Sequence, residues 1–203
     1  LKQLHGRMPD TSMMEVWDEQ LVKYGCAIES ERRKFIAEFI QLFNETYNYL
    51  ADHAEEVSIN YQTQLEQDDF STQLKSSLQK DIALQHTSTG IHKDELIFKL
   101  EKYPLKRIAS QGQQKTFLMA IKIAQFEYLF RHKKTKPILL LDDIFDKLDD
   151  FRAKRLMELV SRHTFGQIFI TDTHPERLKK IFDDIKISIR LFEVNKGTVK
   201  ETT

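Results

Sequence analysis

Apolar side chains recur in steps of three and four through the first quarter of this 203-residue chain: Met14, Trp17, Leu21, Tyr24 and Ile28, then Ile36, Ile40, Phe43, Tyr47, Leu50 and Ala54. That spacing marks one face of an α-helix. It constrains the fold more than any other feature, because a seam this long must be covered by something of matching length. Ser12 stands where a helix cap belongs, and the stretch to about residue 56 reads as one long helix weakened at Gly25, or as two helices in line. No later segment offers an equally long helix, so the expected partner is a segment upstream of Leu1 or another protein chain. The same periodicity also allows a pair folded back at Gly25 into a small bundle. Leu1 is not an initiator methionine, and the opening reads as the interior of a longer sequence.

Charge is balanced overall, with 31 basic and 31 acidic residues, which argues against a wholly basic nucleic-acid binder. Its distribution is uneven. Residues 1–95 carry 9 Lys/Arg against 17 Asp/Glu (net −8), residues 96–137 carry 10 against 2 (net +8), and the remainder balances at 12 against 12. A polyanion could therefore meet one positive stretch, although Lys133, Lys134 and Lys136 read equally well as a solvated loop. Cys26 is the only cysteine, which rules out an intrachain disulfide or a cysteine-rich zinc site and fits a reducing cytoplasm. No apolar run approaches the roughly 20 residues that a membrane-spanning helix needs, and residues 1–30 have no signal-peptide pattern. No membrane association is expected.

After the seam the pattern changes. Val57, Ile59 and Tyr61 alternate as a strand does, residues 70–80 read as a short helix, Thr87-Ser88-Thr89-Gly90 as a loop and Leu96-Ile97-Phe98 as a strand. Tyr103-Pro104 is a break, and residues 111–130 form a helix with Phe117, Ile121, Ala124 and Tyr128 on one face. Short apolar runs at 137–141 and 167–171 flank a helix at 150–162. A further short helix and a strand at 187–194 follow, with Asn195-Lys196-Gly197 as the last turn. Such alternation implies parallel strands joined by helical crossovers, an α/β class.

Three constellations could carry chemistry. Ile138-Leu139-Leu140-Leu141-Asp142-Asp143 is an aliphatic run that ends in two carboxylates, at the strand edge where open α/β sheets bind ligands. One carboxylate there can hold Mg²⁺ through its water shell and the next can orient or deprotonate a water. An isolated acid pair is also what a solvated turn looks like. Asp146 and Asp149 add two carboxylates before the next helix. The second constellation is Ser110-Gln111-Gly112-Gln113-Gln114 at a helix start, where free N–H groups and a hydroxyl can receive an anion, or where Ser110 simply caps. It lies 32 residues before Asp142. The third, His92-Lys93-Asp94, has no second His or Cys at metal-ligand spacing.

The first two, in this order and spacing, resemble the nucleotide-binding domain of ABC, SMC and related ATPases, with Ser110 to Gln114 as signature motif, Ile138 to Asp143 as Walker B and Asp146 to Asp149 as D-loop. Thr87-Ser88-Thr89-Gly90-Ile91-His92-Lys93-Asp94, Ala109-Ser110-Gln111-Gly112-Gln113-Gln114-Lys115-Thr116 and Val16-Trp17-Asp18-Glu19-Gln20-Leu21 narrow this. They are similar to the RecF family of bacterial DNA repair proteins, across essentially the whole chain, as the C-terminal part. The resemblance implies a helical arm at 1–62, being the second helix of a pair, and at 63–203 the C-terminal lobe of a P-loop NTPase head. It further implies ATP and Mg²⁺ as cofactors and an ATP-dependent homodimer with nucleotide sandwiched between two heads. Asp142 would hold Mg²⁺ and Asp143 would position the attacking water. Ser110, Gln111, Gly112 and Gln113 would contact nucleotide bound by the partner head, and Asp146 and Asp149 would communicate across the dimer. DNA at single-strand to double-strand junctions, and the proteins RecO and RecR, are the implied partners, in loading RecA on gapped DNA.

Two departures accompany the resemblance. No G-x-x-x-x-G-K-[ST] occurs, so this chain alone is not expected to hydrolyse ATP; a segment upstream would carry that loop and the first arm helix. Behind Thr171, where many ABC ATPases place a switch histidine, stand Asp172, Thr173 and His174, and His174 before Pro175 equally suits a helix start. For DNA, Lys93, Lys99, Lys102, Lys106 and Arg107 are the candidate phosphate contacts. An SMC-like structural ATPase and a non-enzymatic interaction module are the alternatives.

Overall fold

The computed structural model describes residues 11–66, 69–143, 145, 148–161, 165–186 and 188–202. They form two compact units: Leu1–Gln41 with Glu56–Ile108, and Leu42–Glu55 with Ala109–Thr203. Helix α1 (Thr11–Ala51) is a single element of 41 residues, so the fold-back at Gly25 does not occur. Ser12 lies inside this helix and is not its cap. The helix ends at Ala51, short of residue 56, because Asp52 and His53 turn into the left-handed region with φ of 53° and 57°.

In the first unit, β1 (Val57–Gln62), β2 (Glu95–Leu100) and β3 (Tyr103–Pro104) form an antiparallel sheet in that order. Val57 pairs with Leu100 and Gln62 with Glu95, so the strand anticipated at Val57 belongs with the residues that follow it, and a cut at residue 62 would divide this sheet. Tyr103-Pro104 is itself paired with Lys99 and Leu100, a short strand where a break was expected. Between β1 and β2 runs α2 (Phe70–Leu84), capped by Asp69, whose carboxylate accepts from the Thr72 N–H at 3.2 Å. Helix α3 (Leu105–Ile108) closes the unit. Along α1, Val16, Trp17, Leu21, Tyr24 and Ile28 stay exposed among the described residues, Trp17 at 63%.

Gly25 has a packing role instead of a breaking one. A Cβ there would lie 2.6 Å from Cε1 of Phe70, a buried ring at the start of α2. Glycine costs about 1 kcal/mol in a helix interior relative to alanine, and this close approach is what the cost obtains.

The second unit holds α4 (Gln111–Lys133), β4 (Leu139–Asp142), α5 (Asp150–Val160), β5 (Ile168–Thr171), α6 (Pro175–Ile185), β6 (Leu191–Asn195) and β7 (Thr198–Thr202). Strands β4 and β5 pair in parallel across α5, as the alternation implied. This is the one parallel pairing among the described strands, since β6 and β7 form an antiparallel hairpin. Their turn places Lys196 and Gly197 at positive φ, as a two-residue hairpin turn requires. The last turns of α1 enter this unit's core, where the Phe43 and Phe117 ring centroids lie 4.7 Å apart. The buried face of α4 contains Phe117 and Ala124 as expected, but also Thr116, Ala120, Ile123 and Phe126. Ile121 and Tyr128 are only half-buried.

Gly25→Ala should therefore destabilise the protein despite its better helix propensity, by about 1–3 kcal/mol for overpacking. Chemical denaturation of Gly25→Ala and of Gly25→Ala/Phe70→Leu checks this, with the smaller side chain recovering most of the loss.

Candidate functional site

Helix α4 opens with a reciprocal capping box. Ser110 Oγ accepts from the Gln113 N–H at 3.2 Å, and Gln113 Oε1 accepts from the Ser110 N–H at 2.8 Å. The Gln114 side-chain amide donates to Ala109 O at 2.9 Å, tightening the same turn. Ser110 and Gln111 are exposed, with Gly112 and Gln113 half-buried behind them. The simple capping role of Ser110 is thus realised. The first N–H groups of a helix have no partner within it, and a hydroxyl that accepts can still donate, so this turn keeps the donors that an anion site would require.

The acid pair sits at the end of β4. Register sets Asp142 opposite Thr171. The Thr171 hydroxyl donates to Oδ1 of the exposed Asp142 carboxylate. Asp143 turns away with φ of 47°, its N–H directed at Thr171 O (3.2 Å) and Thr171 Oγ1 (3.3 Å). From the other side Lys115 Nζ of α4 donates to Asp143 O at 2.7 Å. Lys115 thereby joins the second turn of α4 to the carboxylate end of β4, so the two constellations meet in one unit.

No group of three or more His, Cys, Asp and Glu side chains able to hold a metal occurs among the described residues. The donor set is an exposed carboxylate beside a hydroxyl. That suits Mg²⁺, which keeps several waters and takes one or two carboxylates plus phosphate oxygens.

Asp149 caps α5, accepting from the Arg152 N–H at 2.7 Å, whereas Asp146 lies outside the described residues. Behind Thr171, Asp172 has its side chain almost wholly buried, at 3% exposure, and accepts from the His174 N–H at 2.6 Å. Thr173 Oγ1 lies 3.1 Å from His174 Nδ1. His174 is the residue immediately before α6, with Pro175 at its first position, so it begins a helix and its ring is 79% exposed.

Arg177 of α6 was not singled out from the sequence. It donates to Phe145 O and Leu148 O, both at 2.7 Å, and to Asp150 Oδ1 at 3.1 Å. Two of these acceptors are main-chain carbonyls, which leave no trace in a residue pattern; only an arginine at the third position of a helix could have hinted at it.

The DNA candidates lie in the first unit: Lys93 at the end of a 3-10 turn (Ile91–Lys93), Lys99 on β2, Lys102 in the β2–β3 turn, and Lys106 and Arg107 on α3. All but half-buried Lys99 are exposed. His92 Nε2 donates to Thr87 O at 3.0 Å. Asp94, 4% exposed, accepts from Arg32 Nη1 at 2.7 Å and from the Tyr61 hydroxyl at 2.5 Å. Burial and the bond to Asp94 push the Tyr61 phenol up, and the bond to Asp94 raises Arg32, so both remain donors at neutral pH. Asp94 is therefore the anchor of this loop.

A relative from Flavobacterium johnsoniae named DNA replication and repair protein RecF is 43% identical over 185 residues, 91% of this chain and 52% of the relative. One of the same name from Parabacteroides distasonis is 45% identical over 197 residues, 97% of this chain and 54% of the relative. The chain belongs to the RecF family. It spans about half the length of the RecF relatives it matches and corresponds to their C-terminal part. The fold agrees. A solved structure described as the recombination mediator protein RecF-ATPrS in the RecFOR pathway superposes with a TM-score of 0.76 at 24% identity, over 100% of this chain and 54% of that one. A second, described as RecF-ATP, gives 0.75 at 20% identity over 100% and 53%. An Smc head domain with an extended coiled coil, from Pyrococcus furiosus, gives 0.51 at 18% identity over 94% and 42%. The architecture is thus the C-terminal lobe of an ABC/SMC-type head with a helical arm. No family model matches the chain.

Replacing Ser110 by Ala should cost about 1 kcal/mol through the lost cap, and by Asp very little, because aspartate caps as well. Denaturant midpoints of the two variants check this, and they set the structural baseline for any functional loss at Ser110.

Proposed function

We propose that this chain is the C-terminal part of a RecF-type DNA-binding ATPase acting in recombinational repair of gapped DNA. Two heads dimerise around ATP, and each supplies Ser110, Gln111, Gly112 and Gln113 to nucleotide held by the other. The observation that carries the reading is the junction in the second unit: Ser110 opens α4, Lys115 reaches Asp143 O, and Thr171 holds Asp142, in a chain that belongs to the RecF family. A capped helix N-terminus, whose first N–H groups have no partner within the helix, suits a γ-phosphate. Asp142 would hold Mg²⁺, which supplies charge neutralisation for the phosphates when bound. Asp143, exposed and with its backbone fixed on both sides, would orient the attacking water. Asp146 and Asp149 would communicate across the dimer, and Asp172, Thr173 or His174 would sense nucleotide; the buried carboxylate of Asp172 and the exposed ring of His174 favour the histidine as the group that reaches out.

The phosphate-holding P-loop would come from outside these 203 residues, so the chain by itself is expected to be inactive as an ATPase. Relatives whose names and descriptions connect them with DNA replication and repair, with ATP and with the RecFOR pathway support DNA, RecO and RecR as partners. A cytoplasmic location suits that work; among the described residues no helix is long and apolar enough to cross a membrane. The exposed face of α1 would be covered by the first helix of the arm. The ~40% identity to RecF relatives favours this reading over an SMC-like structural role.

Light-scattering mass of the full-length parent, with and without ATP and Mg²⁺, tests the central claim. The mass should double with ATP in the wild type and stay unchanged in Ser110→Arg, whose cation would fill the phosphate site; a wild type that stays monomeric would refute the clamp. For DNA, Lys106→Ala/Arg107→Ala should weaken duplex binding uniformly across sequences. It should also flatten the log–log salt dependence by roughly 0.9 for each phosphate that the variant no longer neutralises.

A further inference from the structure

The loop between β4 and α5 is fastened by one side chain from α6. Arg177 Nη1 donates to Phe145 O at 2.7 Å, while Nη2 donates to Leu148 O at 2.7 Å and to Asp150 Oδ1 at 3.1 Å. Its guanidinium carbon lies 5.8 Å from the centroid of the fully buried Phe145 ring. Arg177 Nε is buried without a hydrogen-bond partner among the described residues. A fixed fork of donors can bridge two carbonyls and a carboxylate at once; a lysine ammonium is a point charge on a flexible stem and lacks that geometry. The acceptors bracket Asp149, whose Oδ1 accepts from the Arg152 N–H at the α5 cap while its side chain remains 58% exposed. The main-chain carbonyls of Phe145 and of Leu148, the residue before Asp149, are therefore held from α6, the helix that begins directly after the residues behind Thr171.

We propose that Arg177 is a positioning residue for the ATP-clamped dimer: it holds the Phe145 and Leu148 carbonyls so that Asp149 is presented to the opposite head. This rests on the shared-site reading above. Arg177 touches no nucleotide. Its loss should leave each head's own grip on ATP intact and damage only the step that needs two heads.

The test uses the full-length parent as wild type, Arg177→Lys and Arg177→Ala, with Arg190→Ala as a control that removes an exposed arginine paired with Glu201. Four quantities are read: affinity for a fluorescent ATP analogue, protein concentration at half-dimerisation with ATP, kcat, and melting temperature. Arg177→Lys is expected to keep nucleotide affinity within twofold and melting within a few degrees. Its dimerisation concentration should rise, and its kcat fall, at least tenfold, with Arg177→Ala worse and Arg190→Ala like wild type. If Arg177→Ala is too unstable to assay, Arg177→Lys decides alone. Dimerisation and kcat unchanged in Arg177→Lys would overturn the proposal while leaving the clamp standing. So would a loss matched by an equal loss of nucleotide affinity, or by a collapse of melting in both variants. A wild type that fails to dimerise with ATP would instead overturn the clamp and the proposal together.

Discussion

Four residue pairs of parallel ladder, Leu139 with Ile168 through Asp142 with Thr171, determine where the chemistry of the second unit sits. Side chains alternate across a strand, so a slip of one residue would exchange the buried and exposed faces and take Thr171 away from Asp142. The alternation is visible in the burial: Leu139 and Leu141 are buried, whereas Leu140 and Phe169 stand on the open face. Helix α5, which joins the two strands, buries Ala153, Leu156, Met157 and Val160 and packs against α6. Once it is set, a single hydroxyl on Thr171 serves two residues, donating to the Asp142 carboxylate and standing within reach of the Asp143 N–H.

Buried carboxylates organise the first unit in the way strand register organises the second. Asp81, 3% exposed, accepts from Ser77 Oγ, from the Ser88 N–H and from Ser88 Oγ, so it ties the loop after α2 back to the helix. Asp94 does the same at the other end of that loop through Arg32 and Tyr61. Between them Gly90 adopts φ of 136°, a conformation open to glycine and strained for other residues. A buried charge is tolerated only when hydrogen-bonded; Asp81 accepts through both carboxylate oxygens, whereas Asp94 accepts twice through Oδ2 and its Oδ1 is buried without a partner among the described residues. The basic side chains at Lys93, Lys102, Lys106 and Arg107 are carried on this same unit, exposed to solvent.

Periodicity was enough to read most elements, because helix and strand repeats are local properties of the chain. The long helix, the capped α4, the β4 and β5 runs and the final turn at Lys196-Gly197 were all legible. What escaped depends on approach between segments distant in sequence. Gly25 reads as a weak point because helix propensity is all a local window contains; the Phe70 ring that makes it necessary is 45 residues away. The buried face of α4 was misjudged at Ile121 and Tyr128 because its neighbours, not its own pattern, decide which flank is covered. Ser110 and Asp142 were found because their side chains are distinctive at their positions, while Arg177 was missed because its partners are carbonyls that every residue possesses.

The backbone at Asp143 carries a consequence of its own. A φ of 47° is uncommon for any residue but glycine, and an aspartate adopts it against a steric penalty of order 1 kcal/mol. Glycine at this place would relieve the penalty and still offer the N–H and C=O that Thr171 and Lys115 engage. Thermodynamic ease and a carboxylate at the strand's end therefore pull in opposite directions at one position, and a search for more heat-resistant forms of the chain would be rewarded there for discarding its acid.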